Sequence, residues 1–233
     1  MRGMSRTFRA LAALSIFAIA LTGCTKKSTT TDPQQPTAAQ LMADGDKAMS
    51  SVKTAHFVIG VEGQISGLSL SKAEGDLTKE GSAKGTATID QFGFKVEAAF
   101  VIIGQDLYLK LGTGGYQKTA LSNAASIYDP SAILDPNRGA AKLLRTAKNP
   151  KVEGKEQVNG KDAYKISFEP DSAAMSALIP TTATGVTALV WLDAETKRIA
   201  KAEFTIPSSG SNPKGVVTVT FSNYDVPVTI SAP

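Results

Sequence analysis

Cysteine, histidine and tryptophan each occur only once in these 233 residues, and aromatic side chains make up 6% of them. A single cysteine excludes an internal disulfide, and a single histidine excludes a His/Cys metal set. That histidine, His56, alternates with an apolar strand face, where a surface or edge role is expected, and no His-based triad or cysteine nucleophile can be assembled around it. Long hydrophobic runs are also missing beyond Leu21, since none approaches the roughly 20 residues that cross a bilayer. Nor is there an excess of one charge. Lys and Arg number 25 against 21 Asp and Glu, and three of the basic residues (Arg2, Arg6, Arg9) stand at the very start. Without them the balance is nearly neutral, which gives no footing for nucleic acid or a polybasic membrane patch.

The start of the chain is where the sequence becomes informative. Arg2, Arg6 and Arg9 precede an apolar stretch from Ala10 to Leu21, the layout of a secretory signal peptide over residues 1–23. Leu21-Thr22-Gly23-Cys24 then forms a lipobox: a branched apolar residue, two small residues and the cysteine. Small residues admit the extended backbone to a peptidase cleft, and the thiol is the atom that takes the diacylglycerol. The alternative, an ordinary signal with an incidental cysteine, needs the only cysteine to fall at the cleavage point by chance. Cys24 is therefore the expected lipidation site, holding the chain on the outer face of the cell membrane. Two or more acyl chains would make that anchor stable.

Residues 24–36 are polar and proline-containing, a flexible tether with a reach of roughly 20 Å. From Thr37 to the end, residues 37–233, a single domain is expected. Thr37-Ala-Ala-Gln40 has capping-box spacing, and Ala38, Leu41, Ala48, Met49 and Val52 share a helical face that Gly45 weakens. From Ala55 the period becomes two. Strands are expected near 55–62, 68–78, 83–91, 94–103, 106–111, 116–121, 151–158, 162–169, 186–193, 198–206 and 216–224, with short glycine-rich connections that favour an antiparallel meander. Asn159-Gly160 is the sharpest hairpin signal. Asp135-Pro136 is expected to open one further helix and Asp171 another. The fold class is thus α+β: a single large curved antiparallel sheet of about ten strands with a few helices. Such a sheet must cover its apolar face. Alternation leaves open a packed core and a curved sheet with unfilled apolar space, and by itself favours the packed core.

Motifs for catalysis are weak. Ser50-Ser51-Val52-Lys53 and Ser69-Leu70-Ser71-Lys72 match SxxK, but the companion SDN and KTG motifs are missing. Gly112-Thr113-Gly114-Gly115 lies between two strands and not before a helix, so a turn is expected and not a phosphate cradle. No catalytic residue, metal ligand or cofactor is assigned.

At Tyr128-Asp-Pro-Ser-Ala-Ile-Leu-Asp-Pro-Asn-Arg-Gly139 the sequence resembles the LppX/LprA/LprF/LprG family of mycobacterial and related actinobacterial lipoproteins, and the LprG-like members most. Ala55-His56-Phe57, Gly85-Thr86-Ala87, Asp106-Leu107-Tyr108, Glu153-Gly154, Val158-Asn159-Gly160, Val190-Trp191-Leu192, Ser222-Asn223-Tyr224 and Pro227-Val228-Thr229 extend the likeness, in order, across the domain. Pro207 to Lys214 and the short stretch from Ile179 to Val186 depart from it. The resemblance implies a half-barrel with helices packed on its concave face around a hydrophobic cavity. It implies multiply acylated lipids or glycolipids as ligands, moved across the cell envelope, in some members together with an efflux-type membrane transporter. Candidate lining residues, placed by period two, are Phe57, Ile59, Val61, Ala87, Ile89, Val96, Ala98, Phe100, Leu107, Leu109, Ile166, Phe168 and Val190, with Leu143 and Leu144 from a helix. A one-residue slip would exchange the faces. Two rivals stand beside this reading. One is a packed structural, adhesin or transporter-partner lipoprotein without a small ligand; the other is an envelope hydrolase, for which no nucleophile and base are visible.

Overall fold

The period-two segments form eleven antiparallel strands of one open sheet in a computed structural model of the chain. The structure describes residues 35–91, 93–124, 130–176, 178–179, 183–208 and 213–233. The signal segment, Cys24, most of the tether, and Tyr128 and Asp129 lie outside the described residues.

Helix α1 spans Ala38–Ser50. Strands β1 (Thr54–Glu62), β2 (Leu70–Thr78), β3 (Ala83–Gln91), β4 (Phe94–Ile103), β5 (Asp106–Leu111) and β6 (Gln117–Ala120) follow as a meander. Two 3-10 turns, Leu121–Ala124 and Pro130–Ala132, and helix α2 (Ala140–Arg145) lead to a second meander: β7 (Lys148–Val158), β8 (Lys161–Glu169), β9 (Thr187–Asp193), β10 (Ile199–Ile206) and β11 (Gly215–Ser222). Helix α3, Ser172–Ser176, sits between β8 and β9. The spatial order is β6-β5-β4-β3-β2-β1-β11-β10-β9-β8-β7. The first meander therefore runs outward from the centre and the second runs inward from the far edge, and β1 and β11 meet in the middle as a seam, His56 to Glu62 against Ser222 to Val216. The segment 121–147 joins the two outer edges of the sheet.

Local chemistry explains most boundaries. Thr37 Oγ1 accepts from the Gln40 amide at 3.2 Å and Gln40 Oε1 accepts from the Thr37 amide at 3.0 Å, a reciprocal cap. The buried face of α1 is Leu41, Met42, Gly45 and Met49, with Ala48 only half-buried. Gly45 lies close against its neighbours: a Cβ there would stand 3.0 Å from Leu144 Cδ1 and 3.1 Å from Leu192 Cδ1. The residue that weakens the isolated helix is the one that lets it approach. Asn159 (φ 52°) and Gly160 (φ 77°) are both left-handed, as a type I′ turn between β7 and β8 requires.

Several strand ends shift from the sequence reading by one or two residues, and three boundaries differ for a visible reason. β7 begins at Lys148, three residues early, because two register shifts between Lys148 and Gly154 break the alternation. β2 begins at Leu70, where a bulge between Leu70 and Lys72 shifts its register with β3. Asp135-Pro136 does not open α2. Asp135 uses its carboxylate on the Asn137 amide (2.8 Å) and Arg138 Nε (2.7 Å), and the helix starts after Gly139 with no side-chain cap. Gly139 is pressed against carbonyls: a Cβ would fall 2.1 Å from Ile133 O and 2.4 Å from Ala132 O. That close approach accounts for glycine at the end of the Tyr128–Gly139 segment.

The outer strands are poor templates for a further strand. β6 has four residues, and β7 is bulged and carries Lys148, Lys151 and Lys155.

Candidate functional site

Register places the apolar residues of all the longer strands on one face. A single row of cross-strand partners runs Val152, Ile166, Val190, Ala202, Val219, Ile59, Ala73, Ala87, Ala98 and Leu111, from β7 to β5. A neighbouring row runs Phe221, Phe57, Gly75, Gly85, Phe100 and Leu109. The thirteen strand residues expected to share a face do share one.

The two halves of that face are covered differently. Over β9 to β11, α1 sets Gly45 on Leu192 and Met49 beside Ile199 and Tyr224, whose hydroxyl donates to Ile199 O at 2.6 Å. Leu143 and Leu144 of α2 are buried in the same core. Over β2 to β5 the two middle rows of the face carry small residues, Ala73, Gly75, Gly85, Ala87 and Ala98, and among the described residues the cover is a pair of single turns. Gly75 and Gly85 are direct partners, and a Cβ on either would lie 2.1 Å from a backbone oxygen of the opposite strand. Only glycine permits so close a crossing of two strands.

Between this small-residue patch and its cover lies an apolar pocket. Leu70 and Ala73 of β2, Ala87 and Ile89 of β3, Phe100 and Ile102 of β4, and Leu107 and Leu109 of β5 line it, and Leu121 and Pro130 close it. The cavity itself is about 30 Å³, inside an indentation whose empty space, open solvent included, is about 470 Å³. Ala87, Ile89, Phe100, Leu107 and Leu109 are the expected lining residues that border it. Phe57, Ile59, Ile166, Phe168, Val190, Leu143 and Leu144 are packed in the surrounding core, while Val61 and Val96 are half-buried toward one end of the sheet. Leu70 and Ala73 escaped sequence reasoning because the bulge breaks the period there. Leu121 and Pro130 escaped it because a crossover has no period at all.

The crossover is tied down by polar contacts. The guanidinium of Arg138 beside Asp135, with the Asn137 amide, holds that carboxyl below its usual range. Arg145 donates to Pro136 O at 2.9 Å and reaches Asp46 of α1 at 3.4 Å.

The outer face is polar and paired. His56 Nδ1 lies 2.9 Å from Asp76 Oδ1 on the neighbouring strand. Trp191 lies between two lysines, Lys201 at 4.3 Å and Lys165 at 5.2 Å from its ring. Its Nε1 donates to Glu156 at 2.8 Å, and it is 3% exposed, so the lysines seal the ring instead of offering it to a base. The SxxK serines serve local structure: Ser50 Oγ donates to Asp46 Oδ1 at 3.3 Å within α1, and the Ser69 carbonyl accepts from the Asp90 amide at 2.7 Å across the sheet. Among the described residues, no three His, Cys, Asp or Glu side chains gather where a metal ion could be held.

An open antiparallel half-barrel with one continuous apolar face defines a class of proteins organised around an apolar interior. The chain belongs to the LppX_LprAFG lipoprotein family, whose model matches residues 37–230. It is 30% identical over 233 residues to the lipoarabinomannan carrier protein LprG of Mycobacterium leprae, covering 98% of this chain and 95% of that protein. Its likeness to the protein of the same name from Mycolicibacterium smegmatis is 31% over 230 residues, with 94% and 95% covered. Among solved structures, LprF from Mycobacterium bovis superposes with a TM-score of 0.71 at 25% identity, covering 84% of this chain and 96% of that one. LppX from Mycobacterium tuberculosis shares the fold, with a TM-score of 0.64 at 18% identity over 83% and 98% of the two chains.

Proposed function

We propose that this protein is a lipid carrier of the cell envelope, anchored on the outer face of the membrane through acylated Cys24 and a tether over residues 24–36, with residues 37–233 as the carrier domain. Its cargo is a multiply acylated lipid or glycolipid, and it acts without covalent chemistry. The observation that carries this reading is the small-residue half of the apolar face, with its pocket between β2–β5 and Leu121 and Pro130. Similarity to proteins named as lipoarabinomannan carriers supports it.

Physics gives such a carrier a purpose. Moving an acyl chain from hydrocarbon to water costs about 0.8 kcal/mol per methylene, so a sixteen-carbon chain faces a barrier on the order of 12 kcal/mol. An apolar interior lowers that barrier. Entry of a chain requires the pocket to open well beyond its present 30 Å³, since ligand pockets commonly span roughly 300–1,000 Å³. Alanine and glycine on the sheet side, and single turns instead of helices as cover, make this the half that can open with the fewest lost contacts. A membrane transporter of the efflux type is the partner to seek for the onward step.

The small cavity favours a second reading, a packed lipoprotein that works through a partner and takes no small ligand. Native mass spectrometry of the protein purified from its own host, followed by lipid extraction, separates the two. Co-purifying acylated lipid at near-stoichiometric amounts is expected. Protein that is consistently lipid-free and refuses offered glycolipid would leave the packed reading standing alone.

A further inference from the structure

Phe94 is 74% exposed, Leu111 45% and Tyr116 39%, and these are three of the four large apolar side chains exposed among the described residues. All three lie toward the same end of adjacent strands: Phe94 begins β4 at the β3–β4 hairpin, Leu111 ends β5 opposite Ala98, and Tyr116 follows in the β5–β6 turn beside Lys110. Hairpin turns are ordinarily polar, so a phenylalanine left in water there lacks a structural reason. Alternation puts Phe94 on the same face as Val96, Ala98 and Phe100, and Ala98 is the direct partner of both Ala87 and Leu111. An apolar strip therefore runs from open solvent at Phe94, past half-buried Val96, to Ala87 and Phe100 at the pocket.

Area decides what this corner fits. An aromatic side chain offers roughly 150–250 Å², and the three together fall short of the ~800 Å² per partner that a stable protein interface needs. A bilayer asks for no such area, because an aromatic at the interface needs no complementary surface. The nearby charges are mixed: Lys95 stands opposite Asp90, and Lys110, next to Leu111, shares an outer groove with Glu97, Lys72 and Glu74. Attraction to anionic headgroups is thus not the driving term.

We propose that this corner is a bilayer-docking tip, in which Phe94, backed by Leu111, inserts into the membrane interface and sets the apolar strip against the lipid from which cargo enters. The idea rests on the carrier reading for its purpose, not for its geometry. Docking is apolar, so it operates on neutral phosphatidylcholine and survives added salt.

The sequence has no cysteine besides Cys24, which gives a clean test in the full lipidated chain. A unique thiol at Thr113→Cys, in the turn beside Leu111, or at Glu80→Cys, in the β2–β3 hairpin at the opposite end, carries an environment-sensitive fluorophore. Each protein is reconstituted into protein-free phosphatidylcholine vesicles containing brominated lipid. The label at 113 is expected to shift to the blue and be quenched, the label at 80 to remain as in water, and adding Phe94→Asp to the first to reduce quenching about tenfold. Equal solvation at 113 and 80, or quenching indifferent to Phe94→Asp, overturns the proposal. A signal that appears only when a membrane protein is added overturns it too, in favour of a protein partner. Lipid content measured on the same samples keeps the two ideas apart. Quenching without bound cargo sinks the carrier reading and leaves the tip, whereas bound cargo without quenching does the reverse.

Discussion

The half of the sheet from β8 to β11 and the half from β2 to β5 present the same apolar face and treat it differently. On one side, Ile166, Val190, Leu192 and Phe204 are almost wholly buried, with Leu192 against Gly45 of α1. On the other, Ala73, Gly75, Gly85, Ala87 and Ala98 stand in the two middle rows, and Leu121 and Pro130 border the pocket above them. In the carrier proposed above, the first half would supply stability and the second would open, because a chain that opens everywhere to admit lipid has no fixed frame to open against.

The sharpest way to break this comparison is to remove volume from the packed half. Leu192→Ala deletes a fully buried side chain under α1 and is expected to cost about 4 kcal/mol in urea unfolding; a cost near zero would mean that the helices do not clamp this side. Gly85→Ala comes next, at about 3 kcal/mol, since its Cβ would meet the Glu74 carbonyl; unchanged stability would show that the glycine crossing is dispensable. A matched pair sharpens the contrast directly. Ala202 and Ala87 lie in one cross-strand row, in opposite halves. Ala202→Leu is expected to cost about 2 kcal/mol by overpacking, and Ala87→Leu about 1 kcal/mol or less while lowering bound glycolipid about tenfold. Equal costs for the two would erase the distinction between the halves.

The smallest effect concerns Tyr224. Burial pushes its phenol well above the ordinary value of 10. The folded chain therefore keeps it neutral at a pH where the unfolded chain ionises, and its contribution to stability is complete below about pH 10 and declines as pH rises further. Tyr224→Phe should flatten that alkaline decline and, through loss of the hydrogen bond to Ile199 O, cost about 1 kcal/mol at neutral pH. Chemical denaturation between pH 8 and 11 checks both parts.

Local structure was largely legible in the sequence. Ala83–Gln91, Phe94–Ile103 and Asp106–Leu111 stand where alternation puts them, because each is half-buried and bounded by turn residues. The capping box of α1 and the Asn159-Gly160 hairpin are likewise complete in a few consecutive residues. Partner choice was not legible. Nothing in the pattern of β1 or β11 says that they meet, since alternation encodes a face and not a neighbour. The Gly75–Gly85 crossing depends on that same hidden register, and the pocket's cover comes from an aperiodic crossover. The start of α2 was misread because Asp135 had a nearer competitor for its carboxylate than the helix amides.

The seam between β1 and β11 has a consequence in time. Each meander pairs only with what was made just before it, so either half can form hairpins early, but the seam joins residues about 160 positions apart. A chain made from its first residue cannot close the sheet until the last twenty or so residues have emerged, so assembly order keeps the two halves separate until then. Truncation ahead of Gly215 is expected to leave two protease-sensitive meanders, and addition of a β11 peptide to restore protection.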